Sequence, residues 1–206
     1  MKAPKDMTYE EHLQIVSQNG KALYHVPMAH MSSEICLVAV KRNGHALEDV
    51  PKKLMTPKIC LSAVKQNGRT LYWVPKKLQT PEVCLAAVTQ NGRALVSVPE
   101  TLRTPEICLV AVSQNGSAFR SVPMALRTPE LCLTAINMTN MFPTGWLPEA
   151  FMTPEICLSA VEWEGTALRR IPQDLKTLDI CLAAIRQDPE AIKFSPYSPL
   201  ELMGMI

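Results

Sequence analysis

The sequence predicts an all-α solenoid, a superhelical array of eight 24-residue repeats, each one α-helix followed by a shorter, broken or 3₁₀-like helical segment. Three observations carry that prediction. All seven cysteines, Cys36, Cys60, Cys84, Cys108, Cys132, Cys157 and Cys181, recur every 24 residues, with a single 25-residue step between Cys132 and Cys157. Around them, pairs such as Ala111-Val112, Asn115-Gly116, Ala118-Phe119 and Val122-Pro123 recur at fixed offsets. Thr-Pro-Glu opens four of the units and Asn-Gly interrupts five, the punctuation of helix ends. A period of this length marks stacked supersecondary units that cannot bury their apolar faces alone. Repeats begin at Thr8, Ser32, Thr56, Thr80, Thr104, Thr128, Thr153 and Thr177. They define one solenoid domain over residues 8–200, with a lead-in at 1–7 and an apolar tail at 201–206.

The unit from Thr80 to Arg103 shows how the elements follow. Thr80 offers an N-cap hydroxyl, Pro81 sits where its missing N–H costs nothing, and Glu82 places a carboxylate against the helix dipole. A helix of about ten residues is expected from there, ending at Gly92, where glycine supplies a left-handed stop. Val83, Cys84, Leu85, Ala87 and Val88 form an apolar set too wide for one stripe, suiting a helix flanked on both sides by copies of itself. The eighth position is alanine in seven units, Ala39 to Ala184, and Ile15 in the first. A larger side chain there would push neighbouring helices apart. In the second half, Leu95, Val98 and Leu102 are the apolar points. Pro99 disfavours helical geometry at Val98, so a turn, a break and a second turn are expected, partly 3₁₀.

Composition bounds the remaining possibilities. Of 206 residues, 47% are apolar and only 5% aromatic, so the core must be built from Leu, Ile, Val, Ala and Cys. A net charge of +2 is too small for whole-chain electrostatics to name a polyanionic partner. There is no run of about 18 apolar residues to span a membrane, and residues 1–11 lack the apolar core of a secretory signal. The expectation is a cytoplasmic protein, with delivery into a host cell if it acts as an effector. Free thiols are expected as well. Equivalent positions on stacked helices lie about 8–10 Å apart, too far for a disulfide, whose Cα atoms lie within about 7 Å.

Units reading Thr-Pro-Glu-Ile-Cys-Leu, then Ala-Val, Gln-Asn-Gly, Ala-Leu and Val-Pro, as from Thr104 to Arg127, resemble a bacterial helical repeat family catalogued as domain of unknown function 4116. The resemblance covers about residues 8–200. It implies a helical array and transfers no catalytic residues. Related arrays occur in proteins that pathogens deliver into host cells. The unit length is also similar to that of the leucine-rich variant repeat, which alternates α- and 3₁₀-helices.

No constellation for catalysis emerges: there is no Gly-rich phosphate loop, no G-x-S-x-G elbow and no H-E-x-x-H. The chain reads as a non-enzyme without cofactor or metal. The cysteine column reads as buried small hydrophobes, since ligands must converge on a centre and these thiols are spread one per repeat. Metal ligation and redox sensing are the competing readings. His12 takes the cysteine position in the first unit; it and His30 read as capping substitutions, with a zinc site on His12 and Cys36 as the alternative. The recurring Glu34, Glu82, Glu106, Glu130 and Glu155 are explained by helix starts.

The candidate site is the variable stripe. Positions seventeen and eighteen hold Tyr24-His25, Glu48-Asp49, Tyr72-Trp73, Val96-Ser97, Arg120-Ser121 and Arg169-Arg170. Against a fixed framework they should line up, with Tyr24, Tyr72, Trp73, Arg120, Arg169 and Arg170 as partner-binding residues; drift at exposed positions is the bland alternative. The sixth unit lacks Gln-Asn-Gly and runs Asn137 to Trp146 instead, one residue longer. Met141, Phe142 and Trp146 there form either an adaptable apolar contact or a filling of the gap. Between Ser32 and Gln79, nine basic residues face three acidic ones, a net +6. Lys52, Lys53, Lys76 and Lys77 would form a basic rim for nucleic acid or an anionic surface, or simply a solvated face. The expected function is a protein–protein interaction scaffold, an effector or an inhibitor of immunity type. The alternative is nucleic-acid binding through the basic rim. The tail residues Leu202, Met203, Met205 and Ile206 would cap the last repeat or support a homodimer.

Overall fold

The computed structural model describes residues 4–139, 151–198 and 201. Its α-helices are α1 (Tyr9–Gln18), α2 (Ser33–Arg42), α3 (Pro57–Gln66), α4 (Pro81–Gln90), α5 (Pro105–Gln114), α6 (Pro129–Thr139), α7 (Pro154–Trp163) and α8 (Leu178–Gln187), and each of them except α6 is followed, among the described residues, by one or two shorter 3₁₀ segments. Among the described residues there is no strand. The array is all-α and repeats with the period of the cysteines. No helix of the described residues is long and apolar enough to cross a membrane.

Helix starts follow the sequence logic. The Thr80 hydroxyl accepts the Val83 N–H at 3.3 Å, and the equivalent Ser32, Thr56, Thr104, Thr153 and Thr177 hydroxyls do the same. Pro57, Pro81, Pro105 and Pro154 each occupy the first helical turn. The first repeat has no such proline and uses a capping box. Thr8 Oγ1 accepts from the Glu11 N–H at 3.2 Å, while Glu11 Oε2 accepts from the Thr8 N–H at 2.7 Å.

Helix ends do not follow it. Asn91 closes α4 in an extended conformation, φ −153° and ψ 106°, its N–H donating to the Ala87 carbonyl at 2.9 Å. None of Gly20, Gly44, Gly68, Gly92 and Gly165 takes a left-handed φ. The asparagine is instead a joint. Its Oδ1 accepts the Arg93 N–H at 3.0 Å and so caps a 3₁₀-helix, Gly92–Ser97. Glycine is needed because the next repeat comes too close. A Cβ at Gly92 would collide with the Ala111 carbonyl oxygen, and even at Gly44, the roomiest of the five, the Ala63 oxygen would lie 2.7 Å away. The glutamine of the following repeat completes the joint by reaching back. Gln66 Oε1 accepts the Gly44 N–H at 2.7 Å, Gln187 the Gly165 N–H at 2.6 Å, and Gln114 the Gly92 N–H. Gln-Asn-Gly is thus an inter-repeat clasp.

The second half breaks as the prolines require. Val98 is extended (φ −70°, ψ 129°) before Pro99, and a short 3₁₀ turn, Glu100–Leu102, follows. The last position of the repeat carries a function with no counterpart in the sequence reading. Gln79 Nε2 donates to the Leu71 and Val74 carbonyls at 3.0 Å each. Arg103 donates to Val98 O at 3.0 Å and Ser121 O at 2.9 Å, binding its own repeat to the next. Arg127 and Lys176 likewise donate to Val122 O and Phe194 O. These side chains satisfy carbonyls that the end of a 3₁₀ segment leaves free.

The core is shared between repeats. Val83, Cys84, Ala87, Val88 and Leu95 are buried, as are their equivalents in the second, third, fifth and seventh repeats, and the seven alanines of the eighth position are each 0% exposed; in the first repeat Ile15 at the alanine position is 40% exposed. Leu85 departs from the expectation: it packs against the core from one side and stays partly exposed. All seven cysteines are free and buried. Burial pushes the thiols of Cys36, Cys60, Cys84, Cys132 and Cys157 up to about 11, from 9.0 for an exposed thiol. Cys108 and Cys181 are raised for the same reason. Because the folded state favours the neutral thiol, this stabilisation is complete below pH 9 and is lost as pH rises through 11. Thermal melts should therefore fall steeply between pH 9 and 11. A Cys60→Ala/Cys84→Ala variant should lose part of that slope; an unchanged slope would mean other groups cause it.

Candidate functional site

The fixed joints hold the 3₁₀-helices side by side, so the residues following each Asn-Gly line up on one exposed face. Position fourteen, one residue after the glycine, joins positions seventeen and eighteen there. Tyr72, 76% exposed, and the half-buried Trp73 stand on the 3₁₀-helix Gly68–Trp73, their rings meeting edge-on with centroids 6.2 Å apart. Trp73 is also edge-on to His45 of the preceding repeat, at 5.6 Å. Asn67 Nδ2 and His45 Nε2 lie 2.7 Å apart, which fixes the imidazole across the boundary between repeats.

Around this aromatic pair the 3₁₀-helices of the third and fourth repeats form an open cleft of ≈ 630 Å³, lined by His45, Arg69, Tyr72, Trp73, Arg93 and Val96, with Ala94 and Ser97 behind. Among the described residues neither Arg69 nor Arg93 has a carboxylate partner, and no acidic side chain lines the cleft. It is therefore an apolar floor between two free guanidiniums, chemistry suited to an apolar side chain flanked by anionic or carbonyl groups.

A smaller cleft of ≈ 310 Å³ lies one repeat away, and His45 belongs to both. Tyr24, His25, Lys21, Glu48 and Asp49 line it. Tyr24 is 74% exposed and meets His25 edge-on at 5.2 Å. The Asp49 carboxyl is raised above its ordinary range, first by partial burial and then by the neighbouring Glu48 charge, with His25 acting in the opposite direction.

Of the residues singled out in the sequence, Tyr72 and Trp73 are thus brought together, and Tyr24 sits in the adjoining cleft. Arg120, Arg169 and Arg170 are exposed but line neither of these clefts. Lys52, Lys53, Lys76 and Lys77 are exposed on the short turns Lys52–Leu54 and Lys76–Leu78 of neighbouring repeats. Met141, Phe142 and Trp146 lie outside the described residues, as do Leu202, Met203, Met205 and Ile206. Arg69 and Arg93 are the site residues that sequence reasoning missed. Their signal was the variable position fourteen, Lys21, His45, Arg69 and Arg93, whose side chains share the cleft face only because the preceding glycine opens a 3₁₀-helix.

The first repeat carries a separate arrangement. His12, 3% exposed, fills the cysteine position and packs against His30 with ring centroids 5.3 Å apart. It is as buried as the thiols it replaces. Among the described residues, no group of three or more His, Cys, Asp or Glu side chains is placed to hold a metal ion.

A family model described as a domain of unknown function, DUF4116, matches residues 12–55, 32–79, 56–103, 80–127 and 153–199. No curated protein and no solved structure matches the chain.

Proposed function

The chain belongs to the DUF4116 family, whose description assigns no activity, and from that premise we propose that it is a non-enzymatic scaffold that binds another protein through the 3₁₀ face. One observation carries the reading. The cleft between the third and fourth repeats presents an aromatic pair and two unpaired guanidiniums on a framework held by repeated clasps. Rigid aromatic and arginine anchors are the residues that dominate protein interfaces. The rest of the stripe varies from repeat to repeat while the clasp recurs at Gly44, Gly68, Gly92 and Gly165, so the surface is specified independently of these joints. Such a scaffold serves equally as an effector acting on a host protein or as an inhibitor covering an enzyme, and the seven free thiols suit a reducing cytoplasm.

The test is affinity capture from bacterial and eukaryotic lysates, followed by direct binding of the recovered protein. Trp73→Ala should weaken that binding by about 2 kcal/mol, roughly thirtyfold. Its melting temperature should stay within a few degrees of the parent. Retention of full affinity by Trp73→Ala together with Arg93→Ala would reject the reading. The exposed Lys52, Lys53, Lys76 and Lys77 support a second reading, a nucleic-acid or anionic-surface contact. In that case the captured partner is an oligonucleotide whose affinity falls steeply with salt, and reversing the four lysines abolishes it.

A further inference from the structure

The opposite chemistry is found on the α-helices. The sixth position of every repeat, from Leu13 to Leu182, is leucine, and none of the eight is buried; Leu109 is 50% exposed and Leu158 36%. Helix starts explain neither their identity nor their exposure. Small or β-branched residues at the seventh position, such as Ala86 and Val110, lie beside them. Three residues before each leucine, one turn away on the same face, stands an acidic residue in every repeat but one, where Lys58 replaces it. All of these acidic side chains are exposed, and no ion pair among the described residues engages them. Where α3 meets α4 the pattern forms a trough of ≈ 490 Å³, lined by Lys65, Glu82, Leu85, Ala86, Thr89 and Gln90.

We propose that this face is a docking track for a cationic amphipathic helix of another protein. Successive leucines are separated by the spacing of packed helices, about 8–10 Å. A helix laid along the track returns the same face every seven residues, about 10.5 Å. An extended chain covers a similar distance in three residues, about 10 Å, and three steps point its side chain away from the track. The period therefore selects a helix with heptad-spaced apolar residues. The acidic column selects its flanks, which carry lysine or arginine. A second copy of the chain would add further carboxylates to the contact. This surface is separate from the cleft face.

The probe is a fluorescein-labelled peptide of three heptads, with leucine at two positions of each heptad and lysine beside them, titrated into the full chain by fluorescence anisotropy. Saturable binding is expected, at least tenfold weaker with a peptide of the same composition in scrambled order. Leu85→Asp/Leu109→Asp should lose at least tenfold while still melting cooperatively, at a lower temperature because Leu85 also packs against the core. Leu109→Ser, at the half-exposed residue, tests the same contact if the double variant does not fold. Glu82→Lys/Glu106→Lys should weaken the lysine peptide and gain affinity for its glutamate counterpart. Equal binding of the scrambled peptide, or unchanged affinity in the leucine variants, overturns the proposal. So does sedimentation as a dimer that Leu109→Ser dissociates and the peptide does not, because a second copy then covers the face.

Discussion

Gly92→Ala is expected to destabilise the array by about 3 kcal/mol, the upper range of overpacking, although it adds only a methyl group to a small residue that opens a 3₁₀-helix. The added methyl meets the Ala111 carbonyl oxygen of the next repeat. That oxygen cannot turn aside, because it already accepts the Asn115 N–H at 2.9 Å and closes α5. The repeats themselves must separate. In a nearest-neighbour array this weakens one interface and leaves the units on either side intact. Urea melts should therefore show a lower midpoint and a smaller m-value, as the two halves begin to unfold independently. Gly92→Asn discriminates between causes. A left-handed helix stop tolerates asparagine, whereas a close backbone approach rejects every side chain with a Cβ. Equal damage from alanine and asparagine is expected; a near-neutral Gly92→Asn would restore the left-handed account.

That distinction marks the boundary of what the sequence made legible. Thr-Pro-Glu is a local signal, and each cap forms within four residues of its own position, so helix starts were readable from Thr80, Pro81 and Glu82 alone. Val98-Pro99 is local too, and the break fell where steric conflict before proline puts it. Asn91-Gly92 was misread because its cause lies one repeat further along the chain. The glycine answers to Ala111, its N–H to Gln114, and neither relation appears inside a 24-residue unit. Arg103 was missed for the same reason, since one of its acceptors is Ser121 O in the following repeat. The site was half legible. The period placed Tyr72 and Trp73 in one variable column, but Arg69 and Arg93 reach their cleft through the 3₁₀ geometry that the misread joint creates. Leu85 was assigned to the interior because hydrophobicity alone does not distinguish a shared core face from a partly exposed one.

Phe119→Ala should cost about 3–5 kcal/mol, the range for a fully buried aromatic residue. Its position is leucine in five other repeats, where Leu23, Leu47, Leu71, Leu95 and Leu168 are all 0% exposed as Phe119 is, and the partly exposed Ile192 in the last. The larger ring is accommodated together with a second change. The Arg127 guanidinium lies over it, Cζ 5.0 Å from the ring centroid, while Nε donates to Val122 O at 3.1 Å. The fifth repeat thus combines a cation–π contact with the carbonyl-satisfying role of its last residue. The first two repeats place Met31 and Met55 at that last position. Phe119→Leu restores the residue of those five repeats and should cost less than Phe119→Ala, about 1–2 kcal/mol. A double-mutant cycle with Arg127→Met should give a coupling of about 0.5–2 kcal/mol for Phe119→Leu. Additive effects would show that the arginine does not act through the ring. The location gives the pair its consequence, because α6 packs directly on the 3₁₀-helix Gly116–Ser121 that carries Phe119. The fifth-to-sixth junction is where Gln-Asn-Gly is missing from the next unit, so a glutamine in that register cannot reach back to Gly116. A larger ring held by a guanidinium supplies buried contact at a boundary where the clasp cannot form, as it also cannot where Arg42 and Trp163 stand in place of the glutamine. Hydrogen exchange should accordingly show Phe119→Ala opening this boundary before any other.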